Sequence, residues 1–167
     1  NLRDELRRTH QRILEVRRSL DGAVEGAVER RTPNLAAVLG PLLAGRIIAA
    51  AGGLDRLARL PASTVQVLGA ERAFFDHLRR GSRPPRHGLL FLHPMIQGAS
   101  RKERGRLARA LAGKAAIAAR LDRAERPLDP SIAAAFERRA EAIRAAPRPP
   151  RNARSVRTPL HRATEDR

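Results

Sequence analysis

All-α is the fold class this sequence predicts, and three observations carry it. An uncharged seam repeats every seven residues through the first 31 positions. Hydrophobic residues make up 42% of the chain and are mostly Ala, Leu, Val and Ile, with four Phe the only aromatics; such side chains build a core between helices. Helix punctuation (Gly52-Gly53, Pro61, Ser100 with Glu103, Asp129-Pro130) recurs at helical lengths. The 167 residues suffice for one domain with a helical arm. The expected division is a coiled-coil-type helix over 1–31, a helical domain over 32–146 and a flexible basic tail over 147–167. Asn1 is not Met, so the chain is expected to begin inside a longer protein.

The arm comes first. Leu6, Ile13, Leu20 and Ala27 form one seam position, and Leu2, Thr9, Val16 and Ala23 fill the other, the pattern of helix against helix. Its eight Arg nearly balance six acids, as on a solvated outer face. Thr32-Pro33-Asn34 interrupts it. A second helix, apolar nearly all round (Leu35, Val38, Leu42, Leu43, Ile47, Ile48), runs through Ala51 and belongs in the core. Arg46 within it is expected to pair internally with an acid such as Asp55. Gly52-Gly53 ends that helix, and a short one from Leu54 to Leu60 stops at Pro61.

Ser63 or Thr64 is expected to cap the next helix, which runs to about Arg80. Residues 81–88 read as a loop, and Leu89–Leu92 as a short extended segment between Gly88 and Pro94. Ser100-Arg101-Lys102-Glu103 matches the capping box, in which Ser and Glu each satisfy a free N–H of the first turn. It opens a helix through Arg123 with Leu107, Leu111, Ile117 and Leu121 on its apolar face. Asp129-Pro130 starts the last helix, with Ile132, Phe136 and Ile143 on one side.

Charge is the strongest functional signal. Lys and Arg number 34 against 17 Asp and Glu, a formal net charge of +17, and only Lys102 and Lys114 are lysines. Arginine forks onto phosphate and carboxylate, so a polyanionic partner is expected: nucleic acid first, an acidic membrane or protein surface second. Residues 81–126 carry +8 of the total and the 147–167 segment +4. Within the middle block Arg101, Lys102, Arg104, Arg106 and Arg109 surround a helix N-terminus, whose N–H groups favour anions. The run is predominantly of one sign, so a binding surface explains it better than a solvated face.

Composition also excludes. With no Cys there is no disulfide framework and no thiolate zinc site. No apolar run of about 18 residues and no signal peptide are present, which makes an intracellular soluble protein the default expectation. Four Phe and no Tyr or Trp argue against single-strand binding on stacking platforms. The five His fall in no metal-binding H-x-x-x-H or H-E-x-x-H spacing. Neither a G-x-S-x-G elbow nor a phosphate-cradling Gly motif occurs. No enzyme activity, cofactor or metal is expected, and the scattered acids are more simply ion-pair partners.

Several motifs in order go further. Pro33-Asn34-Leu35 through Gly52-Gly53-Leu54 resembles the Nop domain. So do Leu60-Pro61-Ala62-Ser63-Thr64-Val65-Gln66, Val67-Leu68-Gly69-Ala70-Glu71-Arg72, and Arg104-Gly105-Arg106-Leu107-Ala108-Arg109 through Ala119-Arg120-Leu121-Asp122. The likeness spans roughly residues 30–125 and is strongest to the archaeal Nop proteins of box C/D small RNPs, with a spliceosomal relative more distant. It implies an all-helical, non-catalytic scaffold that recognises a kink-turn RNA once a small ribosomal-protein-like kink-turn binder sits on it. Fibrillarin would methylate ribose 2′-hydroxyls of rRNA or tRNA in the same particle, bound through a domain absent from this chain. Residues 1–31 would be the second helix of a coiled-coil pair, with a coiled-coil dimer expected. The protein would lie in the cytoplasm of an archaeal cell, or in the nucleolus or nucleus of a eukaryotic one.

Carried over by position, the family's Gly-Ala-Glu-Lys motif falls on Gly69, Ala70, Glu71 and Arg72, at the RNA–protein junction. The following Ala-Leu-Phe-Arg falls on Ala73, Phe74, Phe75 and Asp76, where Asp reverses the family charge and is expected to pair with Arg72 or Arg80. Arg83, Arg86 and His87 correspond to family positions near RNA. Leu92 stands where relatives often carry His or Gln, and His93 follows it. His93 is open to two readings, an RNA contact and a structural His beside Pro94. The alternative to this family reading is a generic basic helical domain, DNA-binding or ribosomal, which explains charge and helices but not the ordered motifs.

Overall fold

The computed structural model describes residues 1–82 and 87–146, the side chains of Arg72 and Phe74 excepted. Arg83, Arg86 and the 147–167 tail lie outside the described residues. The described chain is helical with no strand, as the punctuation predicts. Its elements are α1 (Leu2–Arg31), α2 (Pro33–Leu39), α3 (Pro41–Ala51), α4 (Leu54–Arg59), α5 (Ala62–Val67) and α6 (Glu71–Arg80). A 3-10 turn (Leu89–Leu92), α7 (Pro94–Gln97), α8 (Arg104–Arg123) and α9 (Pro130–Ala145) follow.

Helix α8 is the axis. It packs against α2, α4, α5 and α9, which requires small side chains on most of its sides. Ala108, Ala112, Ala115, Ala116, Ala118 and Ala119 are all buried, with Leu107 and Leu111 between them. The expected apolar face is corrected at Ile117, which is 43% exposed; the alanines, not the largest residues, mark the buried sides. From α9, Ile132, Phe136, Ala140 and Ile143 close over α8. That helix starts as predicted, the Asp129 carboxylate accepting the Ser131 N–H at 2.9 Å.

Four local expectations are corrected. The apolar helix expected from Pro33 to Ala51 is two helices bent by 112°. Gly40 takes φ +78°, and Pro41, lacking an N–H, opens α3 at its first position. Neither Ser63 nor Thr64 caps α5, because Pro61 precedes its first residue and both hydroxyl residues fall inside it. The helix expected to reach Arg80 breaks at Gly69, φ +79°. Leu89–Leu92 is a 3-10 turn rather than extended, the Phe91 N–H reaching the Gly88 carbonyl at 3.0 Å.

The capping box forms in one arm. The Glu103 carboxylate accepts the Ser100 N–H at 3.0 Å, but α8 begins only at Arg104, and no side chain caps it. The Ser100 hydroxyl, and then its N–H, hold the Glu103 carboxyl below its ordinary range.

A buried polar staple joins the ends of the domain. Asp122, 5% exposed, accepts the backbone N–H of Asn34 at 3.0 Å, its side-chain amide at 2.9 Å and the Leu35 N–H at 2.8 Å. Asn34 Oδ1 in turn accepts the Asp129 N–H at 2.8 Å. One carboxylate therefore satisfies the first turn of α2 from the last turn of α8, and the amide fixes the entry to α9. Nearby, Asp55 pairs with Arg123 at 2.8 Å rather than with Arg46, whose side chain is exposed.

Candidate nucleic-acid interface

Three of the sequence motifs meet at one end of α8, and two glycines allow it. The turn at Gly69 is closed by the Glu71 carboxylate, which accepts the Gly69 N–H at 2.7 Å. A Cβ at Gly69 would stand 2.5 Å from Leu89 Cγ, and one at Gly88 would collide with the Leu68 carbonyl. With neither Cβ present, the two backbones lace together. The Gly88 N–H donates to the Gln66 carbonyl at 2.9 Å and the Leu89 N–H to that of Leu68 at 2.8 Å.

The 3-10 turn carries the lacing on to α8. His87 stacks on Phe91, ring centroids 4.8 Å apart and planes 18° off parallel. The Arg104 guanidinium lies 5.2 Å from the centre of the same Phe91 ring, within cation–π range. Arg104 also donates to the Ala99 carbonyl at 3.0 Å and the Gln97 carbonyl at 3.2 Å. So the Gly69–Glu71 turn, His87, Phe91 and Arg104 form one connected surface.

The basic cluster divides by geometry. Arg104 is committed to the loop before α8, and Arg106 donates to the Ile143 carbonyl at the end of α9, at 3.3 Å. Arg101, Lys102 and Arg109 are exposed and make no hydrogen bond or ion pair with the described chain. Only these last three stand fully available to a ligand. Sequence reasoning cannot separate the two sets, since the carbonyl that holds Arg106 lies on another helix.

Helix α6 supplies what charge counting missed. Phe75 is 58% exposed and Leu78 63% exposed, three residues apart and so on one face. Their spacing among charged residues was the available signal. Ala70 is half-buried at the head of α6, beside exposed Glu71. Asp76 forms no ion pair with Arg80, correcting that half of the expectation, and the Arg72 side chain lies outside the described residues. His77 Nδ1 meets the Ser82 carbonyl instead.

His93 is half-buried against the fold. Its Nδ1 accepts the Met95 N–H at 3.3 Å, capping α7, and its ring lies edge-on to Phe136 at 5.5 Å. Burial pushes its pKa below the ordinary 6.5, against a smaller opposing effect of a hydrogen bond to the Val38 backbone. A base whose folded pKa is depressed binds its proton first in the unfolded chain. Its contribution is therefore present above pH about 6.5 and lost as pH falls through the folded value. Urea melts between pH 5 and 7.5 should show stability dropping on the acid side, and His93→Gln should flatten that slope; an unchanged slope would remove His93 as its source.

The class defined by this fold and surface is an all-helical domain with an arginine-rich end built round a glycine-laced turn. Residues 4–142 match the Nop family, described as snoRNA binding domain, fibrillarin, and the chain belongs to that family. An uncharacterized NOP5 family protein of Methanocaldococcus jannaschii is 50% identical over 110 residues, 66% of this chain and 27% of that protein. Human nucleolar protein 56 is 43% identical over 110 residues, 66% of this chain and 18% of that protein. The solved structure of a fibrillarin/Nop5p complex superposes with a TM-score of 0.70 at 33% identity, over 86% of this chain and 54% of the solved one. The chain thus spans between 18 and 27% of these two relatives.

Proposed function

We propose that this chain is the RNA-binding scaffold module of a box C/D-type RNP. It reads a kink-turn RNA together with the small protein that binds the kink-turn, and leaves 2′-O-methylation to fibrillarin. The supporting observation is the mixed chemistry of the laced end. Exposed Phe75 and Leu78 on α6 suit a protein surface, whereas Arg101, Lys102 and Arg109 suit phosphate. In this reading Gly69, Ala70, Glu71 and Arg72, at the head of α6, belong to the same RNP-binding surface, together with His87 and Arg104. The carry-over by sequence position adds Arg83 and Arg86 as RNA contacts, and Arg106 and His93 hold the helices of this end in place.

In this reading residues 1–31 are one helix of a coiled-coil pair, 32–146 the Nop domain and 147–167 a basic tail. Family membership and the likeness to a chain solved with fibrillarin support a place in such a particle. A-form RNA closes its major groove to side chains, so shape and the partner protein would supply most of the specificity. Order of assembly tests this directly. Gel shifts should show binding to kink-turn RNA carrying its small binder and weak binding to the naked RNA; equal affinity for both would sink the composite surface. Salt-dependent binding to unrelated duplex DNA with the same affinity would favour the generic basic domain.

A further inference from the structure

We infer that His93 is a proton-operated latch on the basic end of α8: a proton added to its ring loosens α7 and, through α7, the grip on Arg104. The latch stands on the packing of this chain alone. Its consequence, weaker RNA binding as pH falls, rests on the proposed reading of that end.

Three elements converge on the ring. Its Nδ1 accepts the Met95 N–H at 3.3 Å, and no other acceptor meets that N–H among the described residues. The ring also bonds the Val38 backbone in α2 and stands edge-on to Phe136 of α9. The His93 carbonyl opens α7 as well, accepting the Ile96 N–H at 2.9 Å and the Gln97 N–H at 3.1 Å. One residue therefore holds the start of α7 by side chain and backbone together. The end of α7 in turn holds Arg104, which donates to the Gln97 and Ala99 carbonyls and lies over Phe91. Helix α7 is only four residues long, so no intervening turn absorbs a shift at its first residues.

A neutral imidazole accepts at one nitrogen, whereas an imidazolium donates at both. Protonation thus sets one N–H against another at Met95 and removes the cap. The surroundings do not welcome the charge either. Burial disfavours it. Helix α2 carries no ionisable side chain, α3 carries only Arg46, and the 3-10 turn brings His87 stacked on Phe91. From α9, Arg144 donates to the Met95 carbonyl at 3.4 Å, and Arg139 lies one turn past Phe136. From the start of α8 come Arg104 and Arg106, with Glu103 the one acid, its carboxylate taken by the Ser100 N–H. A further positive charge among these arginines favours swinging the ring toward solvent, which its half-burial allows.

The expected sign is opposite to that of a plain basic surface. Phosphodiesters and arginines stay charged from about pH 5 to 8, so such a surface holds RNA as well or better as pH falls. NMR titration of the 167-residue chain between pH 7.5 and 5 tests the latch, with folding checked by circular dichroism. The Arg104 Nε–H and the Met95 amide should move together through one midpoint below about 6.5, shared with the His93 ring protons. In His93→Asn, whose side-chain oxygen caps but does not titrate, neither should move. Signals that ignore His93, or that move equally in His93→Asn, would overturn the latch. His87→Gln should leave the response in place, and its loss there would assign the effect to His87 instead.

Gel shifts with kink-turn RNA carrying its small binder read the consequence. Affinity of the unmodified chain relative to His93→Asn should fall about fivefold between pH 7.5 and 5.5, the effect of one unmade hydrogen bond. A ratio flat with pH while the Arg104 signal titrates would overturn the coupling to RNA and leave the proposed function standing. No binding by either chain at any pH would strike both that function and the coupling.

Discussion

Asp122→Ala should cost about 3–5 kcal/mol of folding stability, the range for removing one partner from a buried charged network. The carboxylate is almost wholly buried and accepts three N–H bonds, two from the backbone at the start of α2. Truncation leaves those donors facing a small cavity with no acceptor, and it loosens the Asn34 side chain that holds the Asp129 N–H. Asp122→Asn is expected to be nearly as damaging, because an amide presents a donor where donors already converge. Asp129→Ala is the internal comparison. It removes one exposed cap, 2.9 Å from the Ser131 N–H, and should cost clearly less than Asp122→Ala. Urea denaturation would read both. A loss below about 1 kcal/mol for Asp122→Ala would show that the staple follows the fold rather than holding it.

The same residue shows where sequence reading stops. Asp122 lies between Arg120 and Arg123, so an ion pair is the natural expectation. Yet its partners are 87 and 88 positions away, and Arg123 instead takes Asp55. Tertiary partners of a polar residue leave no periodic trace. What was legible is what local chemistry dictates: the length of α1, the stop at Gly52-Gly53, the Asp129-Pro130 start, and a helical core without strands. The breaks at Gly40-Pro41 and Gly69 were hidden because apolar residues continue across both. Their punctuation was present, but a continuous hydrophobic pattern outweighed it.

For the candidate interface, charge picked out one end of α8 but could not rank its members. Arg104 and Arg106 look like Arg101 and Arg109 in the sequence. They differ in having backbone carbonyls within 3.0 to 3.3 Å and, for Arg104, the Phe91 ring beneath it. The Gly69 motif carried more than charge did, since both Gly69 and Gly88 occupy places that a Cβ would overfill. Phe75 was reached only through the family motif, and exposed Leu78 escaped a reading organised around arginine.

That division yields the second large effect. On the proposed reading, replacing Arg101, Lys102 and Arg109 together by Gln should weaken binding to a kink-turn RNA carrying its small binder about 30- to 100-fold at 0.15 M salt. All three are exposed and unpaired within the described chain, so stability should change by no more than about 0.5 kcal/mol. A phosphate that no longer meets a cation keeps its condensed counterion, so the slope of log affinity against log salt should fall by about 2 to 3. Arg104→Gln should behave differently. It gives up the Phe91 ring and two carbonyls, lowering stability by about 1–2 kcal/mol with a smaller change in slope. A triple variant that binds with an unchanged slope would place the RNA elsewhere on the domain. The reverse pattern, an intact triple variant and a strongly weakened Arg104→Gln, would mean that the stack on Phe91, not the open basic residues, meets the RNA.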